Sequence, residues 1–543
     1  MQVFILLSSE AIMCKQKGRS LLITLAAALP LSLMLSGNAL AKRKPAELSP
    51  IEWLGKLVFF DTSLSTPGEE QGCVSCHDPK RGWTFPKSKV NEGPVGNPGA
   101  HPGRRGNIKP PTVAYTKFVV PFQLCSDAFG GNRGAPPGGR GCGGLFWDGR
   151  AEGWGALAAD DPTVLGPTGD GAVSETVKAE DLPAAKRAEY KQYLGPLADQ
   201  ALNPAQKGIE QNAGEKKVCQ MVKTAEYKDL YKQVFGERIN CGDKPEDNPP
   251  YHRSFKLINL AVAAYEASTE VSPFNSPRDI ALYKEFACLH AAGDATYAEY
   301  AEYYDALFCN SGKEGGVAWG EFPLKDLSSE VNWGHDIFYG VSSDLNARGI
   351  DGGCWRCHSD DPGADDGTEP KQTYMDQAYH NIGIPYNREI PDTAKGEVMG
   401  VRNHLTFRLD RPDRDVLPGF FRNPTLRELA QGEEEGFVKA FGHNGYFKSL
   451  EGIMHFYNTR DSRLADLNDP TSVLVPTMRC ETLGLFDATE AEALANECWP
   501  APEFPDGATT FGNVGRIGLT LDEEAAVVAY MRALTGITVP EKP

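Results

Sequence analysis

The chain has 543 residues, enough for two or three separately cored domains. A hydrophobic share of 41% with 10% aromatics excludes general disorder, and a formal net charge of -18 excludes nucleic acid as a natural partner. A surface this acidic serves either simple solubility or the steering of a basic protein partner.

In chain order, residues 13–41 come first, with a basic start, an apolar run and a small-x-small ending at Ala39 and Ala41. That layout predicts a secretory signal over residues 1–41, cleaved after Ala41, rather than a membrane anchor, because Pro30 interrupts the run. The twelve residues before Met13 fit no part of a signal. No later segment is long and apolar enough to span a bilayer, so the mature protein is expected to be soluble and periplasmic. Cleavage removes Lys15, Lys17 and Arg19 against Glu10, a net of +2, and takes the charge from -18 to -20.

Ser49-Pro50-Ile51-Glu52 is a capping box with proline at the first helical position, and predicts a helix through about Val58. Two copies of Cys-x-x-Cys-His follow, Cys73-Val-Ser-Cys76-His77 and Cys354-Trp-Arg-Cys357-His358. The spacing suits covalent haem: two thiols on one turn reach the two vinyl groups, and the adjacent imidazole swings under the ring to bind iron. A thioredoxin-like redox pair does not require the histidine, and a second Cys-x-x-Cys 281 residues away is too distant for a zinc ribbon. Two covalently bound haem c groups are therefore expected.

Thirteen cysteines are present. Cys14 lies in the signal and four belong to the motifs, which leaves eight for disulfides in an oxidising compartment. Eight cysteines allow about 105 connectivities. Pairing of neighbours, Cys125–Cys142, Cys219–Cys241, Cys288–Cys309 and Cys480–Cys498, is favoured because each pair brackets one short loop-rich segment.

Residues 255–268 are apolar on almost every side and predict a buried helix. Residues 276–325, with the tyrosine-rich "ATYAEYAEYYDALF", read as a linker or insertion whose tyrosines serve packing. Thr520-Leu-Asp-Glu523 is another capping box, opening a helix that stops by Gly536. Strand alternation is scarce. The expected class is mainly α: two c-type cytochrome-like haem domains, residues 42–275 and 276–543, with long loops and several disulfides.

Further motifs resemble one family, the bacterial di-haem cytochrome c peroxidases and their MauG-type relatives. "LGKLVFFDTSLS", "PPTVAY", "LFWDGRAEG", "LADQALNP", "VAAYEAS", "HNIGIP", "FRNPTLRELA" and "HNGYFKSLEGIMHFYNTRD" occur in family order. The resemblance implies that His77 is the proximal ligand of an N-terminal, peroxide-reacting haem and His358 that of a C-terminal relay haem, with Trp147 between them. It also implies a distal pocket of Gln200, Pro204 and Glu210, in which Glu210 moves a proton between the peroxide oxygens. Residues 151–193 form an insertion before that pocket. Some family members block the N-terminal iron with a histidine; His101 is available here, away from the family's spacing. The relay haem's distal ligand falls at Tyr457, fourteen residues after His443, with Met454 and His455 as neighbouring alternatives. Calcium between the haems is implied through an asparagine near the "PPT" turn, for which Asn107 is nearest, although Lys109 holds the aligned position.

The resemblance implies a periplasmic peroxidase that reduces hydrogen peroxide with electrons from a donor cytochrome c. A MauG-type enzyme oxidising tryptophan or other side chains of a partner protein is one alternative, and a non-catalytic di-haem electron carrier is the other.

Overall fold

The computed structural model describes residues 47–66, 70–122, 141–154, 156, 175–246, 248–359, 366–391, 398–401, 418–505 and 513–543. The expected signal segment and Cys125 lie outside these residues. Seven helices matter for the sites: α1 (Pro50–Phe60), α2 (Pro196–Ala201), α3 (Pro250–Glu266), α4 (Pro277–Ala291), α5 (Ser329–Tyr339), α6 (Leu450–Thr459) and α7 (Leu521–Arg532). Strands among the described residues are three two-stranded ladders of two or three residues each, so the mainly helical expectation holds.

One arrangement occurs twice. Helix α1 packs against α3, and α5 packs against α7. Both crossings depend on a glycine: a β-carbon on Gly55 would lie 1.8 Å from the Ala261 carbonyl oxygen, and one on Gly334 would lie 1.9 Å from that of Ala526. In each pair a tyrosine one turn further on, Tyr265 or Tyr530, closes over the same glycine. Only a residue without a side chain lets the backbones approach so closely. Gly334→Ala is expected to cost about 1–3 kcal/mol, the scale of overpacking, measurable as a lowered urea midpoint at unchanged slope.

Each crossing anchors an apolar core. The first gathers Ile51, Leu54 and Phe59 with Leu197, Leu202, Leu257 and Ile258. The second gathers Ile337, Leu450, Phe456, Val527 and Met531. Helix α3 begins at Pro250, five residues before the apolar run that predicted it, because prolines at its start supply backbone already set for the first turn. At α7 both halves of the capping box form, Glu523 accepting from the Thr520 amide at 2.8 Å and the Thr520 hydroxyl from the Glu523 amide at 3.4 Å.

The stretch expected as a linker or insertion is ordered. Helix α4 and the 3-10 run Ala295–Tyr303 enclose a small core of Tyr283, Phe286, Tyr300 and Leu324, with the Tyr283 and Tyr300 rings stacked 4.8 Å apart. Its tyrosines pack, as their spacing suggested. Asp279 on α4 accepts two bonds from Arg427, at 2.7 and 3.0 Å, with both side chains fully buried. The disulfides Cys219–Cys241, Cys288–Cys309 and Cys480–Cys498 join neighbours as expected, and Cys142 is also disulfide-bonded. No helix among the described residues is long and apolar enough to cross a membrane.

Candidate functional site

Both Cys-x-x-Cys-His motifs fold as one tight turn. The amides of Cys76 and His77 donate to the Cys73 carbonyl at 3.1 and 3.0 Å, and those of Cys357 and His358 to the Cys354 carbonyl at 3.2 and 3.1 Å. All four thiols are free of disulfides. Each imidazole is oriented in the same way, with Nδ1 of His77 3.1 Å from the Trp83 carbonyl and Nδ1 of His358 3.1 Å from that of Tyr374. A carbonyl only accepts, so Nδ1 carries the hydrogen and Nε2 presents a lone pair, as an axial iron ligand must. Trp83 and Tyr374 adopt the left-handed backbone, with φ of 60° and 59°. Burial holds both histidines down to about 4, which keeps them neutral.

The residues at the second motif fit haem. An apolar cavity over Cys354, Cys357 and His358 is walled by Phe338, Ile384, Leu429, Leu450, Ile453 and Val527. Arg422 lines the same cavity at 3% exposure, bonded to the Phe146 and Asn423 carbonyls. No carboxylate among the described residues pairs with it, so it is a buried cation suited to an acidic group of the cofactor. Intact mass of the mature protein is expected to show two haems per chain, and unreduced peptide mapping four disulfides; fewer haems would remove the basis of the site.

At the first motif the loop after α2 turns back over the cysteines. The Gln211 amide donates to the Pro204 carbonyl at 3.2 Å and the Ala213 amide to that of Ala205 at 2.8 Å. This turn brings Gln211 into hydrogen-bonding contact with Cys73, and the charge of Glu210 is felt at Cys76, whose thiol burial and then Glu210 push up to about 12. Glu210 itself is raised above the ordinary carboxylate range by burial, against the pull of Arg150 and Lys207. Gln200, on α2, is 8% exposed, and its amide oxygen has no hydrogen-bond partner. Pro204 opens the short helix Asn203–Gln206, which the returning turn caps. Asp199 receives the amides of Gly153 at 2.8 Å and Val177 at 3.1 Å, so it ties two points of the insertion to α2.

His101 lies on the loop that rests on this turn, where the Ala100 amide donates to the Glu210 carbonyl at 2.7 Å. Its Nδ1 is 2.9 Å from the Pro102 carbonyl. Asn107 is in the same connection, partly buried, before the buried Lys109.

Trp147 stands between the sites. Its ring lines the second cavity, edge-on to Phe421 and His443 at 6.4 Å each, and its indole N–H donates to the Lys109 carbonyl at 2.7 Å. The charge of Lys109 also bears on His77, so the residue that holds the tryptophan lies near the first site as well. His443 stacks on Phe421 at 3.6 Å and pairs with Glu503 at 3.0 Å.

Three side chains on α6 were candidates for the second site's distal ligand. Met454 and Tyr457, one turn apart, both line the cavity. His455 points elsewhere, with Nδ1 3.0 Å from the Glu524 carboxylate. Burial raises the Tyr457 phenol well above its ordinary range, and the sulfurs of Cys357 and Cys354, which line the same cavity, add to this. Sequence reasoning missed Gln211, Arg422 and the carbonyls of Trp83 and Tyr374, since no spacing rule marks a backbone acceptor or an isolated arginine.

Residues 50–285 match the family model described as di-haem cytochrome c peroxidase. The chain is 24% identical over 447 residues to the methylamine utilization protein MauG of Paracoccus denitrificans (strain Pd 1222), covering 81% of this chain and 83% of that protein. It is 23% identical over 197 residues to the cytochrome-c peroxidase IdrP2 of Denitromonas iodatirespirans, covering 34% of this chain and 45% of that one. Among solved structures, the diheme peroxidase BthA of Burkholderia thailandensis E264 aligns over 91% of this chain and 87% of its own, with a TM-score of 0.54 at 20% identity, a likeness of fold.

Proposed function

We propose that this chain, whose residues 50–285 match the di-haem cytochrome c peroxidase model and which is similar to MauG over 81% of its length, is an exported, periplasmic enzyme that reduces hydrogen peroxide to water with electrons drawn from a protein partner. The observation that carries this reading is the buried acid beside the first motif, Glu210, whose charge reaches Cys76, supported by the open amide oxygen of buried Gln200. A plain electron carrier has no use for either.

Haem c, held through Cys73, Cys76 and His77 and through Cys354, Cys357 and His358, supplies the redox-active iron that no side chain provides. The side chains do the rest. Gln200 accepts a hydrogen bond from hydrogen peroxide and orients it. Glu210 takes the proton from one oxygen and returns it to the other, so that water leaves rather than hydroxide. With two electrons and two protons, one peroxide becomes two waters. Trp147, tied to Lys109 on one side and edge-on to His443 on the other, is the bridge through which the second site shares the oxidising equivalents.

A second reading differs in the partner: a protein whose side chain is oxidised, in place of a donor cytochrome. The position of Tyr457 over the second motif favours it. Steady-state peroxide consumption by the holoenzyme, with reduced small c-type cytochrome as the only donor, separates the two. Turnover coupled to cytochrome oxidation supports the donor reading. Peroxide consumption that is not coupled to the cytochrome supports the second, and no consumption with any donor leaves the carrier.

A further inference from the structure

The region between the two haem sites contains two buried lysines. Lys109 is 8% exposed and Lys439 is 6% exposed. The Lys439 ammonium donates to the Glu428 carbonyl at 3.0 Å and to the Gln431 carbonyl at 3.2 Å, and that of Lys109 to the Pro110 carbonyl at 3.2 Å. Lys439 also reaches the loop that orients His77, because a β-carbon on Gly82, next to Trp83, would lie 2.9 Å from its Nζ. The backbone of Lys109 joins the second site, its amide donating to the His443 carbonyl at 3.0 Å and its carbonyl accepting from Trp147. Backbone carbonyls aimed at a central positive charge are what a calcium ion would use, but here ammonium groups already take them.

We infer that Lys109 and Lys439 are built-in cations of the bridge between the two sites, and that this chain holds no calcium there. The residues do not fit the ion. Calcium takes six to eight oxygens, from carboxylates, carbonyls and water, and the carbonyls here are already taken by ammonium groups. The groups of three or more His, Cys, Asp and Glu found among the described residues lie elsewhere, at Cys357, Asp376 and His380 and at Glu175, Glu215 and His252. The Glu428 carboxylate is turned to the Gly536 amide, at 3.1 and 3.2 Å, and to the Tyr115 hydroxyl. Charge adds to the misfit. Burial and the neighbouring Lys109 already disfavour positive charge at Lys439, so a divalent ion there would be still less favoured. The lysines are positioning residues: they fix the peptide that joins Trp147 to the first site and keep its surroundings positive.

The test uses the holoenzyme, purified with calcium present and then dialysed against EGTA. Metal analysis is expected to find no stoichiometric calcium, and redox titration of both haems to superimpose before and after chelation. Lys439→Met is expected to shift the first haem's titration to lower potential, because a reduced iron loses a stabilising cation, while Lys439→Arg restores it. One retained calcium per chain, a titration that moves on chelation, or a Lys439→Met titration identical to the parent would overturn the inference. Should Lys439→Met fail to fold, the arginine variant and the calcium content of the parent decide. Neither readout depends on peroxide turnover, so the proposed function can fail while this inference stands, and the reverse.

Discussion

Glu210→Gln is expected to keep both covalent haems and to slow the reaction with hydrogen peroxide by at least ~100-fold, the scale of a lost general acid-base group. The amide keeps the size of the side chain and its place in the turn closed by Gln211 and Pro204, so the folded protein should be unaltered. The pH profile carries the sign. Taking a proton from peroxide requires the carboxylate form, and burial raises Glu210 above the ordinary range. The rate therefore falls on acidification through a midpoint above 4.5, the usual glutamate value, and this limb should vanish in the glutamine variant. Stopped-flow mixing across pH checks both. An unchanged rate would place the proton transfer on another acid. Glu175 is a poor substitute, since its carboxylate is held by His252 at 2.6 Å and by Lys256 at 3.5 Å.

Tyr457→Phe is expected to abolish the sharing of oxidising equivalents between the two haems while leaving peroxide consumption at the first site. The phenol lines the cavity over the attachment cysteines from α6, and removal of its oxygen leaves Met454 as the candidate ligand among the α6 residues that line it. An anionic phenolate stabilises oxidised iron, whereas a thioether raises the potential. The parent protein should thus have a low-potential second haem, and its ferric form should react with peroxide directly. The variant's second haem should titrate at higher potential or lack a sixth ligand. If the ferric parent is inert until one electron is added, and its second haem carries the near-infrared signature of methionine ligation, Met454 is the ligand and the donor-cytochrome reading prevails.

Much of this was legible in the sequence for physical reasons that can be named. The haem motifs are contiguous, so their chemistry is written in five residues each. Capping at Ser49 and Thr520 is local as well, and at α1 Glu52 accepts from the Ser49 amide at 2.8 Å as the pattern required. Neighbour pairing of cysteines was inferable because short loops bring such thiols together. What stayed hidden depends on contacts between distant segments. Gly55 and Gly334 look like ordinary helix glycines until the opposing carbonyls of Ala261 and Ala526 are in place. Lys439, in an unremarkable "GFVKAFGHNG", becomes a buried cation only when Gly82 and Glu428 close around it. The tyrosine-rich run gave no sign that it would build its own core with α4, since its apolar faces complete each other only after the chain turns back.

The most direct test of the account is the absorption spectrum of the purified, fully ferric protein before and after one equivalent of hydrogen peroxide. If Glu210 and Gln200 serve peroxide at the first site and Trp147 joins it to the second, as proposed, a prompt change at both haems is expected. No change in the ferric protein, and none after addition of one electron, would contradict it and leave two haems that only carry electrons.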